Sequence, residues 1–198
     1  MILQDLEHYH LPADWSRGAP LWKEGLWRLL GQPLLASDLP GTGWRRLLLV
    51  GFGAKLGRGG RLKPRLRVTF PWRLCVGDHC WIGEAVWIDN LATVSLGDRV
   101  CVSQGAYLCT GNHDFRQRDF RLMVRPIRVE HDAWIGARAV LAPGCEIGAG
   151  AVVSLAVVVA GRIPPMAIVR TGSNMPIGWR RARTASSNPE MGSWLKND

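Results

Sequence analysis

The sequence predicts an all-β solenoid, a parallel β-helix with three flat sides. Period six is neither the 3.6 of a helix nor the two of a strand, and short fixed repeats are typical of solenoids. Aliphatic residues recur six apart within groups, at Leu56, Leu62, Val68; Val76, Ile82, Ile88; Leu96, Val102, Leu108; Val129, Ile135, Leu141, Ile147, Val153 and Val159. Between the first three groups the step is eight, so these groups repeat every twenty residues.

Two further columns support one flat side per six residues. Glycine often follows the aliphatic residue, as at Gly57, Gly77 and Gly136, and we expect it at a corner that needs unusual backbone angles. Four places after the aliphatic residue comes a small or modest side chain, such as Cys80 or Ala139, which would also point inward. A sandwich of ordinary strands is the alternative, but it predicts irregular strand spacing.

Residues 1–55 lie outside the repeat and contain two predicted helices, Pro20 to about Ala36, interrupted at Pro33, and Trp44 to about Phe52. An amphipathic stripe runs along the first helix. We expect this stripe to pack on the prism or against a neighbouring subunit. The stripe consists of Trp22, Leu26, Leu29 and Leu30.

A membrane surface is the alternative partner for this N-terminal segment. Tryptophan beside basic residues is typical of segments that lie at the lipid interface. The residues in question are Trp22, Trp27 and Trp44 beside Lys23, Arg28, Arg45 and Arg46.

The repeat fails between Leu108 and Val129, where about thirteen residues are inserted. The loop insertion, at about 112–127, is polar, charged and aromatic. Excursions of this kind from a rigid scaffold carry binding and catalytic groups more often than the scaffold itself. We therefore predict that the insertion carries the chemistry.

The chain after the insertion forms two clean coils and then loses the pattern. Pro164 and Pro165 lack N–H donors, so the ladder is expected to end there. The predicted division is an N-terminal helical segment over 1–55, the β-helix domain over 56–165, and a short C-terminal extension over 166–198 whose last residues fray.

Composition narrows the class of function. The net charge of +9 favours anionic partners, but no basic run of five or more occurs, which argues against nucleic acid. The five cysteines form no CxxC pair and, with no secretory signal in MILQDLEHYH, indicate reduced thiols in a cytosolic protein. The sequence contains no run of eighteen uninterrupted apolar residues, so it predicts no transmembrane helix.

His113 is the candidate catalytic residue, because it stands where the coil is interrupted. A histidine that is neutral near pH 7 is suited to take a proton from a hydroxyl as a general base. The other four histidines are expected to be exposed and structural, namely His8, His10, His79 and His131.

Several ordered stretches resemble hexapeptide-repeat, left-handed β-helix acetyltransferases, and more narrowly the colanic-acid-biosynthesis type. The likeness covers about residues 15–170. The stretches are FGAKLGRG (52–59), KP (63–64), FPWRL (70–74), GDHCWIGE (77–84), VWIDNL (86–91), SQGAYLCTGNHDF (103–115), RPI (125–127), AWIGA (133–137) and IPP (163–165).

The resemblance implies transfer of an acetyl group from acetyl-CoA to a sugar hydroxyl, with His113 as general base. It also implies that Asn90 holds the acceptor near that base, with Asp89 as a second acceptor-binding candidate. A structural interpretation, in which Asn90 is a corner residue that tolerates left-handed backbone angles, is supported equally well. The family is trimeric, with active sites between subunits, and the outward columns place Trp81, Trp87 and Trp134 on a surface suited to a partner.

For the coenzyme, the resemblance implies that Trp134 and the backbone of Ala137 line the pantetheine arm. The sequence departs from the family at Leu155, which would narrow the coenzyme channel, and at Ala160-Gly161-Arg162, where the usual phosphate-binding lysine is absent. Arg162, Arg170 and Arg180 are the candidates to replace its charge.

Three alternatives remain at the level of sequence. A zinc enzyme on this scaffold needs three converging histidines, whereas His113 and His131 are eighteen residues apart with none between them, so no metal site is predicted. A non-catalytic scaffold that has lost the donor site is consistent with Leu155. An acetyltransferase acting on an amino sugar or a drug would keep the chemistry and change the acceptor.

Overall fold

The chain folds into a three-sided parallel β-solenoid of about six turns, as the period of six predicts. The computed structural model describes residues 5–170 and 178–179. Three parallel sheets form the sides of the prism, and a separate antiparallel hairpin leaves it between the third and fourth turns. We name the sheets A, B and C in the order in which the chain visits them.

Sheet A consists of β1 (Lys55–Leu56), β4 (Leu74–Val76), β7 (Val94–Leu96), β12 (Ile127–Val129), β15 (Glu146–Ile147) and β18 (Arg162–Ile163). Sheet B consists of β2 (Arg61–Leu62), β5 (Trp81–Ile82), β8 (Cys101–Val102), β13 (Trp134–Ile135), β16 (Val152–Val153), β19 (Ala167–Val169) and β20 (Gly178–Trp179). Sheet C consists of β3 (Arg67–Val68), β6 (Trp87–Asp89), β9 (Tyr107–Cys109), β14 (Val140–Leu141) and β17 (Val158–Val159). The hairpin is β10 (Gly111–His113) with β11 (Leu122–Val124).

The strand register confirms the predicted columns. In sheet A, Leu56 pairs with Val76 and Val76 with Leu96, which are the twenty-residue coils. Leu96 then pairs with Val129 across the insertion. The other aliphatic residues of the columns form one continuous core, against which the partly buried Leu56 and Val76 pack. The core also contains the small residues of the second inward column, including Cys80, Ala106, Ala139 and Cys145.

The glycines that follow the aliphatic residues serve close packing between coils, so their expected role in backbone conformation is wrong. A Cβ atom on Gly83 would lie 2.5 Å from the backbone nitrogen of Gln104 in the next coil. The left-handed backbone angles occur two residues later, at residues such as His79, Ala85 and Arg138. Coil stacking therefore selects glycine at one corner position, while the left-handed position two residues later accepts ordinary side chains.

The ladder continues past Pro164 and Pro165, which corrects the predicted end at these prolines. Sheet B gains β19, parallel to β16, and then β20, which pairs antiparallel to β19. Both prolines lie in the corner between β18 and β19. Corner N–H groups bond to the following coil, as that of Gly148 does to the Ile163 carbonyl. Among the described residues β18 is the last strand of sheet A, so no following strand needs a donor from this corner.

The two predicted helical regions are present. The first comprises α1 (Leu21–Leu26), a π-helical turn (Trp27–Gly31) and α2 (Gln32–Leu35), and the second is α3 (Gly43–Gly51). The irregular turn ends just before Pro33, which cannot donate a backbone hydrogen bond to the preceding turn. A short 3₁₀ turn follows β3 at Pro71–Arg73.

These helices cover the open end of the solenoid, where the first coil has no preceding strand to bond. The Trp27 Nε1–H donates to the carbonyl of Val68 at 2.9 Å, and Gln32 Oε1 accepts from the Val68 N–H at 2.8 Å. The Thr42 hydroxyl bridges the N–H and carbonyl of Leu62. Arg46 donates to the carbonyl of Leu56 at 2.8 Å. Polar side chains thus replace the missing strand edge of all three sheets.

The amphipathic stripe of the first helix faces away from the prism, which corrects the expectation that it packs on the chain's own solenoid. Trp22 and Leu29 are 70% and 76% exposed. The inward side instead carries Trp27, and α3 turns Arg45 inward, so neither of these two residues reaches the surface. Over the described residues, no helix has the length and apolar character needed to cross a bilayer.

Candidate active site

The connections from sheet C to sheet A, at 69–73, 90–93 and 110–126, form a lengthened corner in the first three coils. There the step from one inward aliphatic residue to the next is eight, eight and then twenty-one residues, instead of six. The other two corners are tight, for example 103–106 and 136–139 between sheets B and C. The third connection contains the antiparallel hairpin, in which His113 pairs with Leu122 and Asn112 with Met123. The predicted insertion is thus a short, defined hairpin that projects from the edge between sheets C and A.

His113 is held in one orientation and one tautomer. Its Nδ1 lies 2.8 Å from the main-chain carbonyl of Phe120, which can only accept a hydrogen bond. The hydrogen of the neutral ring is therefore on Nδ1, and the lone pair is on Nε2. Nothing else in the described part of the chain bonds Nε2. A neutral imidazole with a free Nε2 is the form that a general base requires.

Two aromatic rings enclose the imidazole. Phe120 stacks on it with ring centres 4.5 Å apart and planes 4° apart, and Tyr9 meets it edge-on at 5.6 Å. Tyr9 belongs to an extended N-terminal segment that is tied to the hairpin, because the Asp5 N–H donates to the Arg118 carbonyl at 2.8 Å. The same segment reaches the neighbouring connection, where the Trp15 indole N–H donates to the carbonyl of Leu91 at 3.3 Å.

Asn90 lies one coil before the hairpin, in the same corner, and is completely buried. Its Oδ1 accepts from the Phe70 N–H at 2.8 Å, and its Nδ2 donates to the Phe70 carbonyl at 2.7 Å. The side chain thus joins two successive coils. Its backbone is not left-handed, so that part of the structural interpretation is wrong. The acceptor-binding role stays a prediction, and a direct contact would require part of this amide pairing to open.

Asp89 precedes Asn90 at the end of β6 and accepts two hydrogen bonds on the outer face of sheet C. The Thr69 hydroxyl donates to Oδ1 at 2.8 Å, and the Tyr107 hydroxyl donates to Oδ2 at 3.2 Å. Burial raises the pKa of Tyr107, so this phenol remains a donor. Trp87 stacks on Tyr107 at 4.6 Å. The predicted acceptor carboxylate is thereby fixed in position near the hairpin.

The predicted coenzyme residues lie elsewhere on the prism. Trp134 is half-exposed on the outer face of sheet B and donates its indole N–H to the Ser103 hydroxyl at 2.9 Å. Ala137 lies in the tight corner that follows, and Leu155 occupies the equivalent position one coil later, exposed to solvent. The Ala156 N–H donates to the carbonyl of Ala137, whose own N–H has no partner among the described residues.

Arg162 is on a third surface, the outer face of sheet A, beside Glu146 in the strand register. It lines a groove of about 290 Å³ together with Arg128 and Glu130. Arg170 ends the first described range, and Arg180 lies outside the described residues. A phosphate-binding role for these arginines remains a prediction.

The structure therefore places the predicted base and acceptor-binding residues together and separates them from the predicted coenzyme-binding residues. His113, Asn90 and Asp89 share the edge between sheets C and A. Ala137 and Leu155 share the edge between sheets B and C. In a three-sided prism these are different edges, so the two groups of residues do not meet within one chain.

Sequence reasoning missed the residues that hold the base. Phe120 acts through its main-chain carbonyl, which no side-chain motif reveals, and Tyr9 precedes His113 by 104 residues in the sequence. The four remaining histidines are exposed, as predicted. Across 5–170 and 178–179, no three His, Cys, Asp or Glu side chains converge to hold a metal ion.

Comparison with known proteins agrees with this fold. The family model for the hexapeptide repeat of succinyl-transferase matches residues 126–160. The colanic acid biosynthesis acetyltransferase WcaF of Escherichia coli K12 is 35% identical over 152 residues, which cover 76% of this chain and 83% of WcaF. Nodulation protein L of Rhizobium meliloti is 31% identical over 51% of this chain and 56% of that protein.

Solved structures show the same scaffold. The hexapeptide-repeat acetyltransferase VCA0836 of Vibrio cholerae is 26% identical with a TM-score of 0.68, over 76% of this chain and 88% of that one. Its complex with acetyl coenzyme A gives a TM-score of 0.74 at 23% identity, over 85% and 93% of the two chains. Fold and repeat together define a left-handed β-helix of the acyltransferase class.

Within that class, the extent of the match to WcaF is decisive. The chain belongs to the hexapeptide-repeat acetyltransferases, on the branch related to the colanic acid biosynthesis enzyme.

Proposed function

We propose that this acetyltransferase moves an acetyl group from acetyl-CoA to a hydroxyl of a sugar or glycan, with His113 as general base. The observation that carries the proposal is the pairing of His113 Nδ1 with the Phe120 carbonyl, which leaves Nε2 free at the last paired position of the inserted hairpin. The names of relatives support the acceptor class, since one serves colanic acid biosynthesis and one solved neighbour is a maltose O-acetyltransferase.

The reaction follows from this arrangement. Nε2 of His113 takes the proton of the acceptor hydroxyl while the oxygen attacks the thioester carbonyl carbon. The carbonyl oxygen then carries negative charge, which backbone N–H groups are suited to stabilise. Collapse re-forms the carbonyl, breaks the carbon–sulfur bond, and the proton held by His113 goes to the coenzyme sulfur. The products are the acetyl ester and CoA.

Two subunits are needed to complete the site in this proposal. His113, with Asn90 and Asp89 as acceptor-side residues, lies on one edge of the prism, whereas the coenzyme-side residues lie on another. Three prisms side by side, related by a three-fold axis, bring one kind of edge against the other kind on the neighbour. The coenzyme-side residues are Trp134, Ala137 and Leu155, with Arg162 and Arg180 as phosphate-binding candidates.

The proposed location is the cytoplasm, where acetyl-CoA is available, with contact to the membrane surface on which lipid-linked glycans are built. The charge of +9 is consistent with anionic partners of both kinds, the coenzyme phosphates and acidic headgroups. An amino sugar or a drug as acceptor would use the same base and the same donor.

A non-catalytic scaffold is the second candidate, and Leu155 is the observation that favours it. Its side chain is exposed at the corner equivalent to Ala137, one coil later, where it would narrow the channel for the pantetheine arm. Intact geometry around His113 favours the enzyme.

Two measurements separate these functions. Isothermal titration with acetyl-CoA should give saturable binding, whereas no binding at millimolar coenzyme supports the scaffold. Incubation with acetyl-CoA and extracted glycan intermediates should add the mass of one acetyl group to one species. Binding without any mass gain across glycan, amino-sugar and drug acceptors would contradict the proposed reaction.

A further inference from the structure

The helices that close the open end of the solenoid leave a layer of apolar side chains on their outer side. We define this end plate by Leu21, Trp22, Leu29, Leu30 and Leu47. Their exposed fractions are 74%, 70%, 76%, 64% and 74%. Singly exposed apolar residues are common, but five mostly exposed ones on the helices that cover one end of the solenoid indicate an interaction surface.

The end plate faces outward because the inner side of the same helices forms hydrogen bonds to the backbone of the first coil. The first coil presents unpaired backbone groups, and Trp27, Gln32, Thr42 and Arg46 satisfy them. Residues a half-turn away on α1 and α3 therefore point outward. Exposure of the apolar stripe is a consequence of the solenoid's geometry and does not reflect a helix that has failed to dock.

The position of the end plate decides which partners can cover it. In the proposed trimer the prisms lie side by side, so neighbouring subunits cover lateral faces and leave the ends free. Three-fold symmetry turns all three end plates in the same direction. The result is three apolar surfaces at one end of the assembly, which suits a broad, flat partner.

Charge around the end plate favours an anionic partner. Between residues 20 and 62 the chain has seven Lys and Arg residues against two Asp and Glu residues. Arg45 is buried, and Arg28 and Arg58 are paired with Glu24 and Asp78, but the side chains of these two arginines remain 59% and 90% exposed. Tryptophan and leucine bordered by basic side chains are the composition that binds the interface of anionic bilayers.

We propose that the end plate docks the enzyme on an anionic lipid surface, with the prism axes along the membrane normal. This proposal rests on the trimeric acetyltransferase proposed above and specifies its membrane contact. The active-site edges then run perpendicular to the bilayer, where a glycan that is anchored in the membrane can enter the groove from one end.

Flotation with vesicles tests the proposal. The full chain is mixed with vesicles of equal parts phosphatidylcholine and phosphatidylglycerol, and with vesicles of phosphatidylcholine alone. We expect binding to the anionic vesicles that weakens with salt and is lower on the neutral ones. The double variant Leu29→Gln/Leu30→Gln should lower the partition coefficient about tenfold, because two apolar side chains leave the interface.

Leu6→Gln is the matched control, because Leu6 is 61% exposed but lies in the segment beside the hairpin. It should bind vesicles as the wild type does. Absence of binding by the wild type, or equal binding by the double variant, overturns the proposal. A wild type that forms pairs of trimers, undone by the double variant, with no vesicle binding, assigns the end plate to a second copy and also overturns it.

Turnover of the double variant on a water-soluble acceptor distinguishes this proposal from the proposed function. Unchanged turnover with lost vesicle binding supports the membrane role. Vesicle binding by a chain without any acetyltransferase activity would instead contradict the proposed reaction and leave the docking surface in place.

Discussion

The lengthened corner and the tight corners of the same prism differ in what they contain. At the tight corners the inward aliphatic residues are six apart, coils stack with glycine against backbone, and the exposed side chains have structural roles. The lengthened corner contains Asn90, the hydrogen bond between Asp89 and the Thr69 hydroxyl, and, in the third coil, the hairpin with His113. The regular repeat thus forms the scaffold, and the departures from the repeat carry the polar groups of the candidate site.

The largest expected effect compares one histidine from each kind of corner. His113→Ala should lower turnover roughly 10²–10⁴-fold, the usual contribution of a positioned base, without changing the oligomeric state. His131→Ala, at a tight corner, should leave turnover unchanged. Steady-state kinetics with both substrates saturating, together with size-exclusion chromatography, measures the difference. Equal turnover of the two variants would remove His113 from the mechanism.

Stability gives the next comparison. Asn90→Ala leaves the Phe70 N–H and carbonyl without partners inside the protein, and we expect a loss of about 2–4 kcal/mol in the free energy of unfolding. Gln104→Ala, an exposed position at a tight corner, should change it by less than about 0.5 kcal/mol. Denaturant unfolding followed by circular dichroism measures both. A stable Asn90→Ala variant with weakened acceptor binding would instead support direct contact with the acceptor.

The smallest effect concerns Leu155, at the tight corner that is assigned to the coenzyme. Leu155→Ala should widen the channel, lowering KM for acetyl-CoA about threefold while kcat and the acceptor KM stay constant, as expected for a change in uniform binding. A raised KM would mean that the leucine contacts the coenzyme favourably.

Much of the scaffold is predictable from sequence, because a column of Val, Ile and Leu at period six has few structural explanations. Leu56 to Val159 fall in the predicted core, and the insertion falls at the predicted break. His113 is predictable from its position at that break. The Phe120 carbonyl is not, since the backbone partner of a side chain depends on the hairpin's register.

The N-terminal helices show a different limit. Periodicity identifies the stripe of Trp22, Leu26, Leu29 and Leu30 but does not say which way it faces. The usual assumption is that an apolar face meets the core. At the end of a solenoid the surface to be covered is a row of backbone N–H and carbonyl groups, so polar side chains face inward there.

The central claim is that His113 and the coenzyme corner work together across two subunits. Hybrid trimers of His113→Ala chains and Ala137→Trp chains, co-expressed with different tags and purified through both, test it most directly. Each variant alone should be nearly inactive. Each trimer that contains both variants has one groove of three with an intact base from one subunit and an intact coenzyme corner from its neighbour, so activity should return to about a third of wild type. Hybrids no more active than their parents would contradict the shared site.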